Sequence, residues 1–165
     1  TYCISRIVTG IFNENDPQMK HSLIELFNRD ILRLIEEMKS YKNESNIWVK
    51  EPNISNSAGN LCLHLAGNLN HFIGAILGNN GYVRHREAEF ATKHVPLNDL
   101  KDLVEKTRIT VIDTLTSLDE KDFTNDFPVK FPDQTRTTDF VLIHLAGHLN
   151  YHLGQINYHR RLLDK

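Results

Sequence analysis

The stretch His144-Leu-Ala-Gly-His-Leu-Asn-Tyr-His-Leu-Gly-Gln-Ile156 decides the fold of this chain. Val141, Leu145, Leu149, Leu153 and Ile156 gather on one face when successive residues turn by about 100°. His148 and His152 lie on the edge of that face, and His144 sits further round, towards solvent. Residues four apart stack along one side of a helix, so the rings at 148 and 152 form a clamp for one metal ion. The two histidines of an HExxH helix use the same spacing. A lone histidine near a core is more often a satisfied structural residue than a ligand; a pair at this spacing changes that balance. Thr137-Thr138-Asp139 is expected to cap this helix, which runs to about Leu163.

A second copy of the motif stands upstream. His64-Leu-Ala-Gly-Asn-Leu-Asn70 matches His144-Leu-Ala-Gly-His-Leu-Asn150 at six of seven positions. The Ala-Gly pair also has a purely structural reading, since small residues let two helices approach closely. A third ligand has to come from another helix. His64 stands on the flank of its own apolar face and His71 lies further along, so spacing leaves both open.

The rest of the chain reads as two more helices and three connections. Asp16-Pro17 opens a helix to about Tyr41 carrying Leu23, Leu26, Phe27, Leu34, Ile35 and Met38. Residues 42–55 are a polar loop that holds Trp48. Asn56-Ser57 caps the second helix, and Gly78-Asn79-Asn80-Gly81 stops it near Leu77. Tyr82 to Val95 is a charged connection with Arg84, Arg86 and Glu89. Pro96 starts a third helix to about Leu118, with Leu100, Leu103, Val104, Val111, Ile112 and Leu115 as its buried stripe. Asp119 to Arg136 holds Pro128 and Pro132 and a short apolar alternation that can pair as a small hairpin. The expected fold is all-α: four helices near 17–41, 57–78, 97–118 and 137–163 in one antiparallel or near-antiparallel bundle with long connections, a single domain over 1–165.

Composition narrows the function. The net charge of −2 argues against nucleic acid and against an anionic membrane surface. No apolar run approaches the roughly 20 residues of a membrane span, and Tyr2 to Phe12 lacks the make-up of a secretion signal. Cys3 and Cys62 form no CxxC pair, so a reducing, cytoplasmic setting is expected. Nine histidines is many for 165 residues, and four fall between His144 and His159.

Three elements together resemble the DinB-like superfamily, also called the YfiT-like metal-dependent hydrolases. They are Asn56-Ser57-Ala58 leading into His64-Leu-Ala-Gly-Asn68, then Arg84-His-Arg-Glu-Ala-Glu-Phe90, then His148-Leu-Asn-Tyr-His152-Leu-Gly-Gln155-Ile156. The last is the most specific. The resemblance implies a four-helix bundle with three metal ligands, one from helix two and two from helix four. Carried onto this chain, they are His64, His148 and His152. Some members of that superfamily transfer a low-molecular-weight thiol, bacillithiol or mycothiol, and others have no known substrate.

Three neutral imidazoles leave coordination positions open, as catalytic rather than closed structural sites do. Zinc or nickel is expected first, then iron or manganese. Gln155, one turn from His152, is a candidate to orient a ligand; Tyr151 and His144 are candidate proton carriers that sit off the core face. Trp48, Arg84 and Arg86 are candidates for substrate contact, with an ion pair to Glu87 or Glu89 as the competing role of the arginines. The expected activity is thiol transfer to a small electrophile. Metal-dependent hydrolysis and a non-enzymatic, stress-associated metal-binding bundle are the alternatives. Bundles with a partly apolar face commonly pair, and the resemblance implies dimers as well, so a homodimer is expected.

Overall fold

A computed structural model describes residues 18–165. The helical periodicities of the sequence become four long segments. They are α1 (Gln18–Lys39), α2 (Ala58–Leu69) continued by a π-helical stretch (Asn70–Leu77), α4 (Leu97–Ser117) and α6 (Thr138–Leu163). The connections hold structure of their own: a 3-10 turn (Glu44–Trp48) and two short helices, α3 (Arg86–Ala91) and α5 (Glu120–Thr124). The class is all-α, and no described helix is long and apolar enough to cross a membrane.

One core joins the four long segments. Phe27, Ile31, Leu34 and Met38 of α1 meet Leu65, Leu69 and Ile73, together with Leu100, Val111 and Leu115 of α4 and Val141, Leu142, Leu145 and Ile156 of α6. In α4, Leu103 and Ile112 fall to the margin of the stripe, and Thr107 and Thr114 are buried between the apolar positions. Thr107 is tolerated there because its hydroxyl donates to the Leu103 carbonyl and accepts from Asn70 Nδ2, so no polar atom is stranded.

Most helix ends follow the local chemistry. The Ser57 hydroxyl accepts from the Asn60 amide at 3.2 Å, an N-cap. After the π-helical stretch, Asn79 and Gly81 take the left-handed backbone, with φ of 48° and 76°. At α6 the cap differs from expectation. The Thr137 hydroxyl donates to the Asp139 carboxylate, which itself accepts from the Phe140 amide. The expected cap Asp16-Pro17, and Cys3, lie outside the described residues. The expected hairpin in 119–136 reduces to one antiparallel bridge, Asp126 with Thr137. Pro128 and Pro132 have no N–H to extend a ladder. The Phe127 amide bonds to the Arg136 carbonyl and the Phe131 amide to the Gln134 carbonyl.

The direction of the helices corrects the antiparallel expectation. Lys20 at the start of α1 donates to the carbonyls of Thr116 and Leu118 at the end of α4, so α1 and α4 are antiparallel. Along α1 and α6 the partners rise together: Asp30 with Asn150, Glu37 with Asn157, Tyr41 with His159. That pair is parallel. Asn70, Gly74 and Gly78 likewise meet Thr107, Thr110 and Thr114, so α2 with its continuation runs parallel to α4. The order is up, down, down, up. Residues 79–96 must therefore return along the bundle before α4 can start, and α3 lies on that return path.

Candidate metal centre

α2 is buried nearly all round, with Leu63 as its half-buried exception. A helix without a polar face gives a wheel no direction, which is why periodicity could not single out His64. The α2–α6 contact does. His64 Nε2 lies 3.2 Å from His148 Nε2, and His152 Nε2 lies 3.1 Å from the same atom. The three imidazoles offer ligand atoms that all fall within 4.8 Å of one another. Such N···N distances are those of two nitrogens that each sit about 2.1 Å from a shared ion at near a right angle. The three histidines are thus close enough to hold a metal ion.

Two of the three rings are held from behind. His64 Nδ1 donates to Glu89 Oε2 at 2.9 Å, and His152 Nδ1 donates to Gln155 Oε1 at 2.7 Å. A proton on Nδ1 leaves the Nε2 lone pair free, so both rings present a donor atom towards His148. His148 Nδ1 is buried and has no partner among the described residues. Glu89 is itself clamped by Arg84, with Nε to Oε1 at 2.7 Å and Nη2 to Oε2 at 2.9 Å. Arg84 Nη2 also lies 3.3 Å from His64 Nδ1. With the Nδ1 proton given to Glu89 both of those nitrogens are donors, so that contact is not a bond.

Burial sets the protonation states. It lowers the pKa of all three imidazoles, and in His148 to about 4. The Glu89 hydrogen bond partly offsets the effect at His64. Burial opposes ionisation of Glu89 too, but Arg84 and His64 outweigh it and hold its carboxyl below the usual range. At neutral pH the site is three neutral rings with an anionic carboxylate behind one of them. The histidine–carboxylate contact is a hydrogen bond to a neutral ring, not an ion pair.

The α3 return segment supplies Glu89, and two α2 residues fix it there. Asn60 Nδ2 reaches the carbonyls of Glu89, Phe90 and Thr92. Gly67 leaves the room: a Cβ there would overlap the Glu89 carboxylate. The matching glycine of the repeat, Gly147, faces open space. Sequence reading named Glu89 only as a possible partner of an arginine. Its place behind His64 was signalled by the Arg-x-Arg-Glu-x-Glu element, but only the return path connects the two.

The remaining candidates separate. Gln155 is on the site through His152. His144 is exposed and packs on Phe131, and His71 packs on Phe72; neither joins the cluster. Tyr151 is exposed, its ring 5.2 Å from that of His152. Arg84 is spent on Glu89, and Arg86 lies over the Phe90 ring. Trp48 covers the start of α2, where a Cβ on Gly59 would strike its ring. Cys62, the one cysteine among the described residues, is inaccessible, and burial pushes its thiol up to about 12. A cavity of about 350 Å³ opens beside Gln155, between Leu61 of α2, residues 53–56 and Tyr158, His159 and Leu162 of α6. Among the described residues, no Asp, Glu, Lys or Arg lines it.

The model of a family described as "Protein of unknown function (DUF1572)" matches residues 18–165. No curated protein matches the chain.

Proposed function

We propose that this chain, which belongs to the DUF1572 family, is a metal-dependent enzyme of the DinB-like kind that transfers a low-molecular-weight thiol to a small electrophile. The observation that carries the reading is the convergence of His64, His148 and His152 on one point through Nε2, with two rings fixed by Glu89 and Gln155. Metal-ligating imidazoles are commonly held this way by outer partners that tune them, which supports the reading. A divalent ion such as zinc or nickel, once bound, lowers the proton affinity of a thiol or a water placed against it.

The chain's own residues supply the remaining roles. Glu89 holds the His64 tautomer, and Gln155 holds that of His152. Cys62 is sealed in the core, so no described residue offers an accessible thiol, which leaves an external thiol or water as the nucleophile of this reading. The described lining of the cavity beside Gln155 holds no Asp, Glu, Lys or Arg, which suits a partly apolar substrate or its tail.

The test starts from protein purified without a His-tag or added metal, analysed for its elements. About one divalent ion per chain is expected. His148→Ala should abolish tight binding, and His144→Ala should leave it intact. The loaded protein is then incubated with a generic electrophile and a panel of thiols, beside His152→Ala. Thiol-dependent turnover that His152→Ala loses supports transfer. Turnover in buffer alone replaces it with hydrolysis. Unchanged metal content in His148→Ala overturns the site itself.

A further inference from the structure

We infer, on the reading of the site as a metal centre, that Asn68 is the outer partner of His148. Its amide oxygen accepts the Nδ1 proton of that ring, directly or through one water, when His148 is a ligand through Nε2. Asn68 is the one mismatch of the repeat: it stands in His64-Leu-Ala-Gly-Asn-Leu-Asn70 where the second copy has His148. Three buried side-chain nitrogen or oxygen atoms have no hydrogen-bond partner among the described residues: Asn68 Oδ1, Arg136 Nε and His148 Nδ1. The Asn68 residue is 8% exposed. A buried acceptor left alone costs stability, so folded proteins retain few of them.

The register of α2 against α6 brings Asn68 and His148 to one level. Leu61, His64 and Asn68 follow at i, i+3 and i+7, so they share a face of α2. Phe72 follows one turn later, in the π-helical continuation. Leu61 walls a cavity together with Gln155 and His159. His64 meets His148 and His152. Phe72 packs on Phe131, which packs on His144. The stripe thus faces α6 and descends it as α2 advances, as an antiparallel pair requires. Asn68 stands between His64 and Phe72, so it falls opposite the turn from His144 to His148. Within that turn His144 is exposed, whereas His148 is half-buried with its Nδ1 enclosed. Side chains lean towards the N-terminus of their own helix. Asn68 therefore leans towards the His64 turn, and His148 leans towards the level of Asn68.

Donor and acceptor roles select the pairing. A neutral ring that coordinates through Nε2 carries its proton on Nδ1. His64 gives that proton to Glu89, and His152 gives its own to Gln155. His148 is the ligand whose proton has no acceptor, and Asn68 Oδ1 is the acceptor at its level that has no proton. Arg136 does not compete, because its guanidinium lies over the Phe140 ring at the start of α6. Asn68 is thus a positioning residue, which acts on the metal only through His148.

The test uses the whole chain with zinc alone, titrated against a competing chelator, together with NMR of the ring nitrogens in the zinc form. In the wild type the His148 proton should sit on Nδ1 and exchange slowly with solvent. Asn68→Leu replaces an unpartnered polar group by an apolar one of similar shape, so the apo protein should melt no earlier than the wild type. Its zinc affinity should still fall about 10- to 100-fold, as on loss of an outer partner of a ligating histidine. Asn68→Asp keeps an acceptor at the same place and should bind zinc at least as tightly as the wild type. A purely structural Asn68 gives the reverse pattern, an earlier melt of Asn68→Leu with unchanged affinity. Wild-type affinity in Asn68→Leu overturns the inference and leaves the metal centre standing. So does an Asn68→Asp that binds as weakly as Asn68→Leu, or a His148 coordinated through Nδ1. A wild type that takes up neither zinc nor nickel overturns the metal centre, and this inference with it.

Discussion

Replacing Glu89 with glutamine should weaken metal binding without touching a ligand. The carboxylate accepts one bond from His64 Nδ1 and two from Arg84, and it is 7% exposed. Glutamine keeps one oxygen and turns the other into an NH2 that faces donors on both sides. The oxygen can then serve His64 or one arm of Arg84 well, not both. Loss of an outer partner of a ligating histidine costs about 10- to 100-fold in metal affinity, or roughly 1.4 to 2.8 kcal/mol. A second effect competes with it. Taking the charge from one member of a buried pair costs about 3–5 kcal/mol, out of a total stability of about 5–15 kcal/mol. The stability term is the larger one, so Glu89→Gln alone is expected to melt earlier as well as bind more weakly. Adding Arg84→Met removes the stranded guanidinium and separates the two effects. The double variant should recover most of the lost stability and keep the weakened affinity, because a neutral carbonyl is about half as strong an acceptor as a carboxylate. Thermal melts of the apo protein report the first quantity, and metal titration against a competing chelator reports the second. A folded Glu89→Gln that binds metal within twofold of wild type would refute the view that Glu89 tunes His64.

Two further predictions use the same assays. Gly67→Ala should lower metal affinity about as much as Glu89→Gln, because its Cβ displaces a carboxylate held by three bonds; Gly147→Ala, measured at a concentration where the chain is monomeric, should gain about 0.5–1 kcal/mol from helix propensity. Equal effects at the two glycines would show that the repeat is read wrongly. The apo protein should lose stability on acidification. Burial puts the His148 pKa at about 4 in the folded state, below the ordinary 6.5, so the unfolded chain binds the proton first. The contribution is therefore fully present above about pH 6.5 and is lost as the pH falls towards 4. His148→Phe should flatten that part of the pH–stability curve, and an unchanged curve would count against a buried neutral His148.

Much of the frame could be read from the chain, and the reasons differ by element. α6 was legible because Val141, Leu145, Leu149, Leu153 and Ile156 form one inward stripe, with His148 and His152 on its edge. α2 was legible as a helix but not by its face. Only Leu63 escapes full burial there, so the position of His64 rested on the repeat and on the resemblance. α3 and α5 were missed because five or six residues are too few to show a helical period. The hairpin was misjudged because apolar alternation counts for little when prolines at 128 and 132 remove ladder donors. Helix direction was out of reach for another reason. Local periodicity carries no sign, and contacts such as Asp30 with Asn150 lie far apart in sequence.

The direction of the helices is also what completes the site. In a bundle of plain antiparallel hairpins, α4 would begin where α2 ends, and residues 79–96 would be a short turn at that end. Parallel packing of α2 against α4 forces this segment to travel the length of the bundle. On the way it passes the one place where α2 turns an imidazole towards α6. Gly67 provides the room, Asn60 holds the carbonyls at the end of α3, and Arg84 keeps the Glu89 carboxylate ionised. A long connection is costly in chain entropy unless it is packed down, and this one is packed against the back of His64. The rule that places a long loop outside the core thus fails here for a physical reason. The carboxylate behind His64 comes from the connection between helices, and the topology leaves that connection no other path.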